Sequence, residues 1–385
     1  MDFHFFTPVN ESLVAEAPAQ SLGTQIKVHT IERGMPELEG VKIAIFGVLE
    51  DRLDENPTEE PFDFEGIRRN FYSLFPGNWH ISIIDLGDIE KGDSVEDTYF
   101  AVQSVVEELI KKDIIPVILG GSQDLVYAQY RAYDNLDQMV NLVNIDSRFD
   151  LGDAEKPIGN RSYIGKIIVN KPYNLFNYSS LGYQTYFNSQ DEIDLMERLF
   201  FDAYRLGEVS LDISKVEPVM RDANLVSMDL GSVSAGALGT IFSSSPNGFD
   251  GKEICALARY AGISDKVSSF GIYEISSRFN FTSCNMLVAQ TLWYFIEGVN
   301  YRKNENTISA KKEFIKYQVP VDEDVLVFYK SAVSGRWWIE IPFVSGANNK
   351  LKRHTLLPCT NDDYLDACNQ ILPERWYKTK RKNEI

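Results

Sequence analysis

Carboxylate, amide and guanidinium side chains follow four apolar stretches of the chain. GGSQD at residues 120–124 follows IIPVIL, DSRFD at residues 146–150 follows MVNLVNI, and SMDLG occupies residues 227–231. A fourth apolar stretch, VSSFGIY, is followed by Glu274. Carboxylate and amide oxygens bind hard divalent cations, and carboxylates also bind organic cations, so these residue types predict chemistry that involves a cation. The acids in this set are Asp146, Asp150, Asp229 and Glu274.

Apolar runs alternate with stretches of helical periodicity along most of the chain. The runs predict strands at 41–48, 79–89, 114–121, 139–145, 173–184, 224–233 and 267–275. The periodicity predicts helices at 64–75, 94–113, 125–133, 189–207, 251–262 and 282–299. Apolar strands that each precede a helix are typical of a parallel sheet covered by helices on both faces.

The four acids follow the carboxyl ends of predicted strands, where ligands bind in parallel α/β sheets. Each acid could instead cap the helix that follows it, since Asp is common at helix N-termini. A single Asp in this position is usually a cap, whereas four acids from separate segments favour a site. We therefore expect the four carboxylates to converge on one edge of the sheet.

Three of these segments resemble motifs of the ureohydrolase family, which includes arginase, agmatinase, guanidinobutyrase and formimidoylglutamase. The family motifs are GGDHS, DAHxD and SxDxDxxDP, and the corresponding segments here are GGSQD, DSRFD and SMDLGSV. FEGIRRNFYSLF, IIDLGDI and NGFDGKE are also similar, and LGYQ at residues 181–184 is closest to the LGIQ of formimidoylglutamase-like members. The resemblance extends from residue 36 to residue 300.

The resemblance implies an arginase-like fold, which is a three-layer α/β/α arrangement with a mostly parallel sheet. We expect an irregular N-terminal segment at 1–35, the ureohydrolase-like α/β domain at 36–300, and a C-terminal extension at 301–385. Within the extension, Ser334-Gly335 predicts the turn of a β-hairpin, and a helix is expected after it. The basic sequence KTKRK near its end is expected to be a solvated terminus.

The resemblance also implies a site for two manganese ions, which hold a hydroxide that attacks a guanidinium or amidine carbon. In the family, two histidines and four aspartates bind these metals. The corresponding residues of this chain are Gln123, Asp146, Arg148, Asp150, Asp229 and Gly231. Three carboxylates therefore remain, and both histidines are replaced. The histidines of the chain, His4, His29, His80 and His354, are all distant from these motifs in sequence.

Arg148 is the replacement with the largest expected effect, because a guanidinium keeps its proton and cannot bind a metal. One hypothesis is that Arg148 replaces the second metal ion and forms charge-assisted hydrogen bonds with Asp146 and Asp229. The alternative is that Arg148 points outward and leaves the pocket vacant. If one metal ion is kept, its ligands would be Asp146, Asp150 and Asp229, with the Gln123 amide oxygen as a fourth.

Two functions of different classes are consistent with these residues. The first is a non-catalytic binding or interaction protein without a cofactor, since no bridging hydroxide forms without two metal ions. The alternative is a formimidoylglutamase-like hydrolase of a guanidinium or amidine C–N bond that uses one or two divalent cations, Mn²⁺ or Mg²⁺. In either case the resemblance implies that Asn160, Ser162 and Glu274 contact a cationic small molecule.

The net charge of −18 disfavours nucleic acids and anionic membranes as partners, because both are polyanions. No apolar run reaches the ~20 residues that a membrane span needs, and the N-terminus lacks the features of a signal peptide. The four cysteines show no CxxC pair, so we expect buried free thiols and a cytoplasmic location. We expect the extension at 301–385 to offer a surface for a protein partner, and the resemblance implies a homo-oligomer.

Overall fold

The computed structural model describes residues 4–384, apart from residues 56, 58–61, 137, 154, 240–244, 276–280, 304, 306–313 and 343–355. His354 lies outside the described residues. Among the helices that are described, none combines the length and the apolar character that crossing a membrane requires.

The strands of the main sheet are β1 (Phe6–Thr7), β2 (Lys27–Val28), β3 (Val41–Val48), β4 (Ser82–Ile89), β5 (Ile115–Gly120), β6 (Val140–Ile145), β7 (Leu175–Tyr183), β8 (Asp202–Arg205), β9 (Leu225–Asp229) and β10 (Ser269–Tyr273). Those of the C-terminal extension are β11 (Phe314–Val321), β12 (Asp324–Ser331), β13 (Trp337–Glu340) and β14 (Leu356–Cys359). The main sheet has the order β1-β4-β3-β5-β10-β9-β6-β7-β8, and β2 also pairs with β4. Its pairs are parallel except that of β1 with β4.

The helices are α1 (Glu11–Ala15), α2 (Leu22–Gln25), α3 (Phe64–Ser73), α4 (Val95–Lys111), α5 (Leu125–Arg131), α6 (Tyr163–Val169), α7 (Gln190–Arg198), α8 (Leu206–Leu211), α9 (Glu217–Asp222), α10 (Ala235–Leu238), α11 (Gly251–Ile263), α12 (Phe281–Asn300), α13 (Asn361–Cys368) and α14 (Glu374–Glu384). Short 3₁₀ turns occur at Thr185–Phe187, Ile213–Val216 and Leu230–Ser232.

The main sheet lies between two layers of helices. Helices α3, α11 and α12 contribute side chains to the apolar core on one face, and α4, α5 and α6 contribute to the core on the other face. Every residue of β5, β6, β9 and β10 is buried, which is why these strands appear in the sequence as nearly continuous apolar runs. The predicted three-layer α/β/α fold is confirmed.

The helix predicted at 189–207 is wrong in its second half. Helix α7 ends at Arg198, and Phe200 then adopts a φ of 56°, which a continuing right-handed helix does not allow. The following residues form the edge strand β8, which pairs with β7. Gly207 lies inside the short helix α8 and does not close a long one.

The N-terminal segment predicted to be irregular contains the short strands β1 and β2 and the helices α1 and α2. Both strands pair with β4, so this segment adds to one end of the main sheet. The side chains of Leu13, Val14 and Leu22 are buried in the core that α3 and α12 also line.

The C-terminal extension contains an antiparallel sheet in the order β11-β12-β13-β14. The predicted hairpin is present as β12 and β13, and Gly335 in the turn between them has a φ of 74°. The extension is larger than the predicted hairpin and helix, because β11 and β14 flank the pair and α13 and α14 cover it. Its own core includes Phe328, Trp337, Ile339 and Trp376.

The prediction that the basic sequence KTKRK is a solvated terminus is wrong, because this sequence lies within α14. Lys378 forms an ion pair of 3.6 Å with Asp202 of β8. Lys382 donates a hydrogen bond to Asn177 of β7, and its ammonium lies 5.6 Å from the ring centre of Phe201. These lysines therefore attach the last helix to the β7–β8 end of the main sheet.

The cysteines follow the prediction with one exception. Cys255, Cys284 and Cys359 are buried free thiols, whereas the free thiol of Cys368 is exposed. Burial raises the pKa of Cys255 to about 11, so this thiol is protonated at neutral pH.

Candidate functional site

The four predicted acids lie at one edge of the main sheet. Strands β5, β10, β9 and β6 are consecutive neighbours in the sheet and run in parallel, so their carboxyl ends meet at the same edge. Asp229 is the last residue of β9, and Glu274 and Asp146 directly follow β10 and β6. Asp150 follows four residues after Asp146 in the loop beyond β6.

Two of the acids have left-handed backbone conformations that turn the chain sharply after its strand. Asp150 has a φ of 52° and Glu274 a φ of 59°. The backbone N–H of Glu274 donates to the carbonyl oxygen of Gly121 at 2.7 Å, and the Glu274 carboxylate accepts from the backbone N–H of Gln123 at 2.9 Å. The loops after β5 and β10 are thus joined by two hydrogen bonds.

A guanidinium group lies beside two of the buried carboxylates, and it belongs to Arg161. Its Nη1 is 3.5 Å from Oδ1 of Asp150 and 3.4 Å from Oδ2 of Asp229. The two carboxylates are fully buried, whereas 30% of the Arg161 side chain is exposed. Arg161 therefore approaches the carboxylates from the solvent side, from the loop before α6.

Arg148 does not form the predicted contacts with Asp146 and Asp229. Its backbone N–H donates to Asp146 at 2.9 Å, but its guanidinium donates to the carbonyl oxygen of Phe187 at 2.9 Å. The guanidinium also lies 4.6 Å from the centre of the Phe187 ring, which is a favourable cation–π geometry. The hypothesis that Arg148 replaces a metal ion is wrong, because these contacts hold its side chain away from the carboxylates.

Gln123 is fully buried at the first motif. Its side-chain amide donates to Oδ1 of Asn144 at 3.0 Å, and Asn144 donates in turn to Oδ2 of Asp146 at 3.1 Å. Its carbonyl oxygen, Oε1, has no hydrogen-bond partner in the described structure. Both carboxylate oxygens of Asp150 are likewise buried without a hydrogen bond. Oδ1 of Asp150 lies within ion-pair distance of Arg161, so Oδ2 of Asp150 and Oε1 of Gln123 are the two of these atoms with neither a hydrogen bond nor an ion pair in the described structure.

Gly231 lies close to the carboxylate of Asp229. Its backbone N–H donates to Oδ1 of Asp229 at 2.6 Å. A Cβ atom added at residue 231 would lie 3.0 and 3.1 Å from the two carboxylate oxygens of Asp229. A larger side chain here would require a small shift of Asp229.

Of the residues predicted to contact a ligand, Asn160 and Glu274 form a hydrogen bond with each other, whereas the Ser162 hydroxyl bonds to its own loop. Nδ2 of Asn160 donates to Oε1 of Glu274 at 3.2 Å and to Oδ1 of Asp54 at 3.3 Å. The Ser162 hydroxyl accepts from the backbone N–H of Gly159 at 3.0 Å and stabilises the loop. Asp54, which lies in the acidic segment before α3, is thus a further acid of this site.

Sequence reasoning missed Asp54 and Arg161. Arg161 lies between two residues that the resemblance implicated, Asn160 and Ser162, and this position was the available signal. Asp54 had no such signal, because it is one of many acids in the segment EDRLDENPTEEPFD.

Burial and neighbouring acids make Asp150, Asp229 and Glu274 weaker acids than usual. Burial, and then the neighbouring Asp146, raise the pKa of Asp150 and of Asp229 well above the usual value. Burial and the nearby Asp54 raise the pKa of Glu274 to about 7. Burial opposes the charge of Arg161, but Asp150 and Asp229 more than offset this and raise its pKa.

The donor set differs from the two histidines and four aspartates that the resemblance implies. It has three carboxylates and an amide oxygen, while Arg148 points away and residue 231 has no side chain. Within the described ranges, no group of three or more His, Cys, Asp or Glu side chains is arranged to hold a metal ion. A guanidinium lies where cations would meet Asp150 and Asp229, so these residues do not fit a pair of manganese ions.

The sequence was compared with known protein families. Residues 43–297 match the family described as "Arginase family". This chain belongs to the arginase family. The match covers more than half of the chain and ends close to the last residue of α12, so it includes the whole carboxylate site.

Curated relatives of this arginase-family chain include formimidoylglutamases of low identity. One from Streptococcus gordonii is 22% identical over 264 residues, which cover 62% of this chain and 78% of the relative. One from a Geobacillus species is 26% identical over 220 residues, which cover 51% of this chain and 65% of the relative.

Solved structures of the same family share the fold. The formiminoglutamase of Trypanosoma cruzi, described with Mn²⁺, has a TM-score of 0.63 at 15% identity, covering 75% of this chain and all of that chain. The agmatine ureohydrolase of Thermoplasma volcanium has a TM-score of 0.59 at 19% identity, covering 76% of this chain and 98% of that chain. At these identities the likeness is one of fold, and about a quarter of this chain has no counterpart in either structure.

Proposed function

We propose that this arginase-family chain binds a cationic small molecule at the carboxylate site and does not hydrolyse it. The observation that carries the proposal is the position of Arg161, whose Nη1 lies within 3.5 Å of both Asp150 and Asp229. Hydrolysis in this family depends on a hydroxide held between two metal ions. A fixed positive charge beside two of the remaining carboxylates opposes the binding of those ions.

The proposed ligand is a guanidinium, amidine or ammonium compound. Glu274, Asp54 and Asn160 form one end of the site, and Asn160 holds the two acids together by hydrogen bonds of 3.2 and 3.3 Å. Arg161 contacts Asp150 and Asp229, which lie at the same edge. A ligand cation would offset the negative charge at the Glu274 end of the site.

Formimidoylglutamase-like hydrolysis is the competing function. The names of the relatives support it, and so do the unsatisfied oxygens of Gln123 and Asp150, which a single divalent cation would satisfy. The arguments against it are Arg148 and Gly231 at two positions where the resemblance implies metal ligands, and the guanidinium of Arg161 beside Asp150 and Asp229.

A turnover assay tests the proposal directly. The full chain, incubated with Mn²⁺, would be supplied separately with formimidoylglutamate, arginine and agmatine while ammonia, formamide and urea are measured. A manganese-loaded formimidoylglutamase serves as the positive control. We expect no product above the protein-free rate, and multiple turnovers of any of these compounds would refute a non-catalytic role.

Calorimetric titration with the same compounds tests for binding. We expect Glu274→Gln to weaken the binding of the preferred cation by about tenfold or more, because a buried charge-assisted hydrogen bond contributes ~1.5–3 kcal/mol. Glu323→Gln is the matched control, since Glu323 is exposed in the turn between β11 and β12. Equal affinities for both variants would show that the cation binds elsewhere.

A further inference from the structure

The carboxylate site contains more acid groups than the neighbouring cation can neutralise. Asp146, Asp150 and Asp229 are at most 2% exposed, and Glu274 lies at the same edge. Charges this deeply buried are stable only when a cation or hydrogen-bond donors accompany them. Within the described residues, Arg161 is the cation whose contacts with this group are within ion-pair distance.

Arg161 contacts the carboxylates through one nitrogen atom. Its Nη1 lies 3.5 Å from Asp150 and 3.4 Å from Asp229, so a single atom bridges acids from two different segments. A divalent cation that bridged the same two carboxylates would lie ~2–2.6 Å from their oxygens, and therefore close to the guanidinium. The guanidinium and a divalent ion would then stand too close to coexist, because both are positively charged.

Asp150 and Gln123, beside Arg161, have oxygen atoms that accept no hydrogen bond in the described structure. Neither oxygen of Asp150 accepts a hydrogen bond, and Oε1 of Gln123 also has no partner, although both side chains are at least 98% buried. The remaining side-chain contacts of Gln123 lead through Asn144 to Asp146, which places its amide beside the same group. Carboxylate and amide oxygens are the ligands that hard divalent cations prefer.

We propose that Arg161 is a built-in counter-ion that prevents Asp146, Asp150, Asp229 and the amide oxygen of Gln123 from binding one divalent cation. Within the described residues these side chains are not arranged to hold a metal ion. The Arg161 guanidinium holds Asp150 and Asp229, and its removal would let the four side chains close around a cation that enters from the solvent side. This inference rests on the proposed function, since it explains why the chain would bind no manganese. It differs from that function in assigning the exclusion of metal to one residue.

The test measures Mn²⁺ binding to four purified full-length proteins by electron paramagnetic resonance of the free ion and by thermal shift. They are the natural chain, Arg161→Ala, Arg161→Lys and Arg148→Ala. We expect Arg161→Ala alone to bind about one Mn²⁺ and to gain thermal stability from it. Arg161→Lys retains the charge and should bind none. Arg148→Ala removes a guanidinium directed toward Phe187 and should also bind none.

Three results would overturn the proposal. The first is binding of Mn²⁺ by the natural chain to the same level as by Arg161→Ala. The second is a gain of Mn²⁺ binding by Arg148→Ala or Arg161→Lys. The third is the failure of every variant to bind Mn²⁺. Turnover by the natural chain in the assay above, without bound metal, would contradict the proposed function but would leave the role of Arg161 intact.

A double-mutant cycle keeps the proposal testable if Arg161→Ala does not fold. Arg161→Met should destabilise the chain, because it leaves Asp150 and Asp229 buried without their cation. Adding Asp229→Asn should then restore a large part of the lost stability, as measured by urea unfolding. A double variant whose instability equals the sum of the two single variants would contradict the proposed pairing.

Discussion

The guanidinium of Arg161 lies within 3.5 Å of two buried carboxylates, and the proposed role of its permanent charge is to limit which other cations bind there. Arg148, which lies between Asp146 and Asp150 in the sequence, contacts Phe187 instead. Proximity in the sequence therefore does not identify the counter-ion. An arginine from the loop before α6 reaches the acids because that loop passes over the carboxyl edge of the sheet.

Glu274 makes the binding of a cation depend on pH. Its pKa is raised to about 7 by burial and by Asp54, so it is protonated in much of the population below neutral pH. A cationic ligand favours the ionised carboxylate, so its affinity should rise as pH increases from about 6 to about 8. Calorimetric titration across this range would measure the effect.

The control for this pH dependence is Glu274→Gln, which should show weak binding with little change across the same range.

The effect of pH on folding stability has the opposite sign to its effect on ligand affinity. Because the folded-state pKa of Glu274 lies above its ordinary value, its contribution favours folding at low pH and is lost as pH rises toward 7. An affinity that falls with increasing pH would contradict a role for the Glu274 carboxylate.

At the scale of elements, the extension is attached to the main domain through a buried arginine of α9. Arg221 is 2% exposed and donates to the carbonyl oxygens of Trp337 at 2.9 Å and Cys359 at 3.1 Å. It also pairs with Glu217 at 3.1 Å and lies 4.5 Å from the centre of the Trp338 ring. These contacts join β13 and β14 to the helix that precedes β9.

Arg221→Ala should lower the free energy of unfolding by about 3–5 kcal/mol, because it leaves the buried carbonyl oxygens of Trp337 and Cys359 without their donor and removes one of two ion pairs of Glu217. Urea unfolding would measure the change. Arg259→Ala is the matched control, since Arg259 is 38% exposed and pairs with Glu297 on the surface. That change should cost only about 0–1 kcal/mol. Similar losses for the two variants would indicate that Arg221 does not join the extension to the domain.

The elements that sequence reasoning predicted are those whose burial leaves a pattern. β5 and β6 are buried on both faces and appear as apolar runs, and α4 has an amphipathic pattern with a capping box at Ser94. β8 has only four residues at the edge of the sheet, so it leaves no pattern of its own. In the sequence, the lysines of α14 look like a solvated tail, because the residues that they contact in β7, β8 and the preceding loop are distant in sequence.

The candidate site was also predictable only in part from the sequence. The positions of Asp146, Asp229 and Glu274 follow from parallel strands that end at one edge. The contacts of Arg161 do not follow from any local pattern, because they depend on how a loop crosses that edge. The residues that the resemblance implied lie near one another at that edge, but Arg161, and not the Arg148 of our hypothesis, contacts the acids.

At the scale of the whole molecule, the extension enlarges an arginase-family domain without covering the carboxylate site in the described structure. The lysines of α14 contact β7 and β8 residues, whereas the acids lie at the carboxyl ends of β5, β6, β9 and β10. A protein partner for the extension and a homo-oligomer stay predictions, and the chain's net charge of −18 makes polyanionic partners unfavourable.

The metal content of the natural full-length chain tests the central claim most directly. The protein would be incubated with excess Mn²⁺, separated from free metal by gel filtration, and measured by inductively coupled plasma mass spectrometry. We expect manganese well below one equivalent per chain, because the charge of Arg161 opposes a cation between Asp150 and Asp229. Two equivalents per chain would contradict this account and would indicate an ordinary dinuclear ureohydrolase.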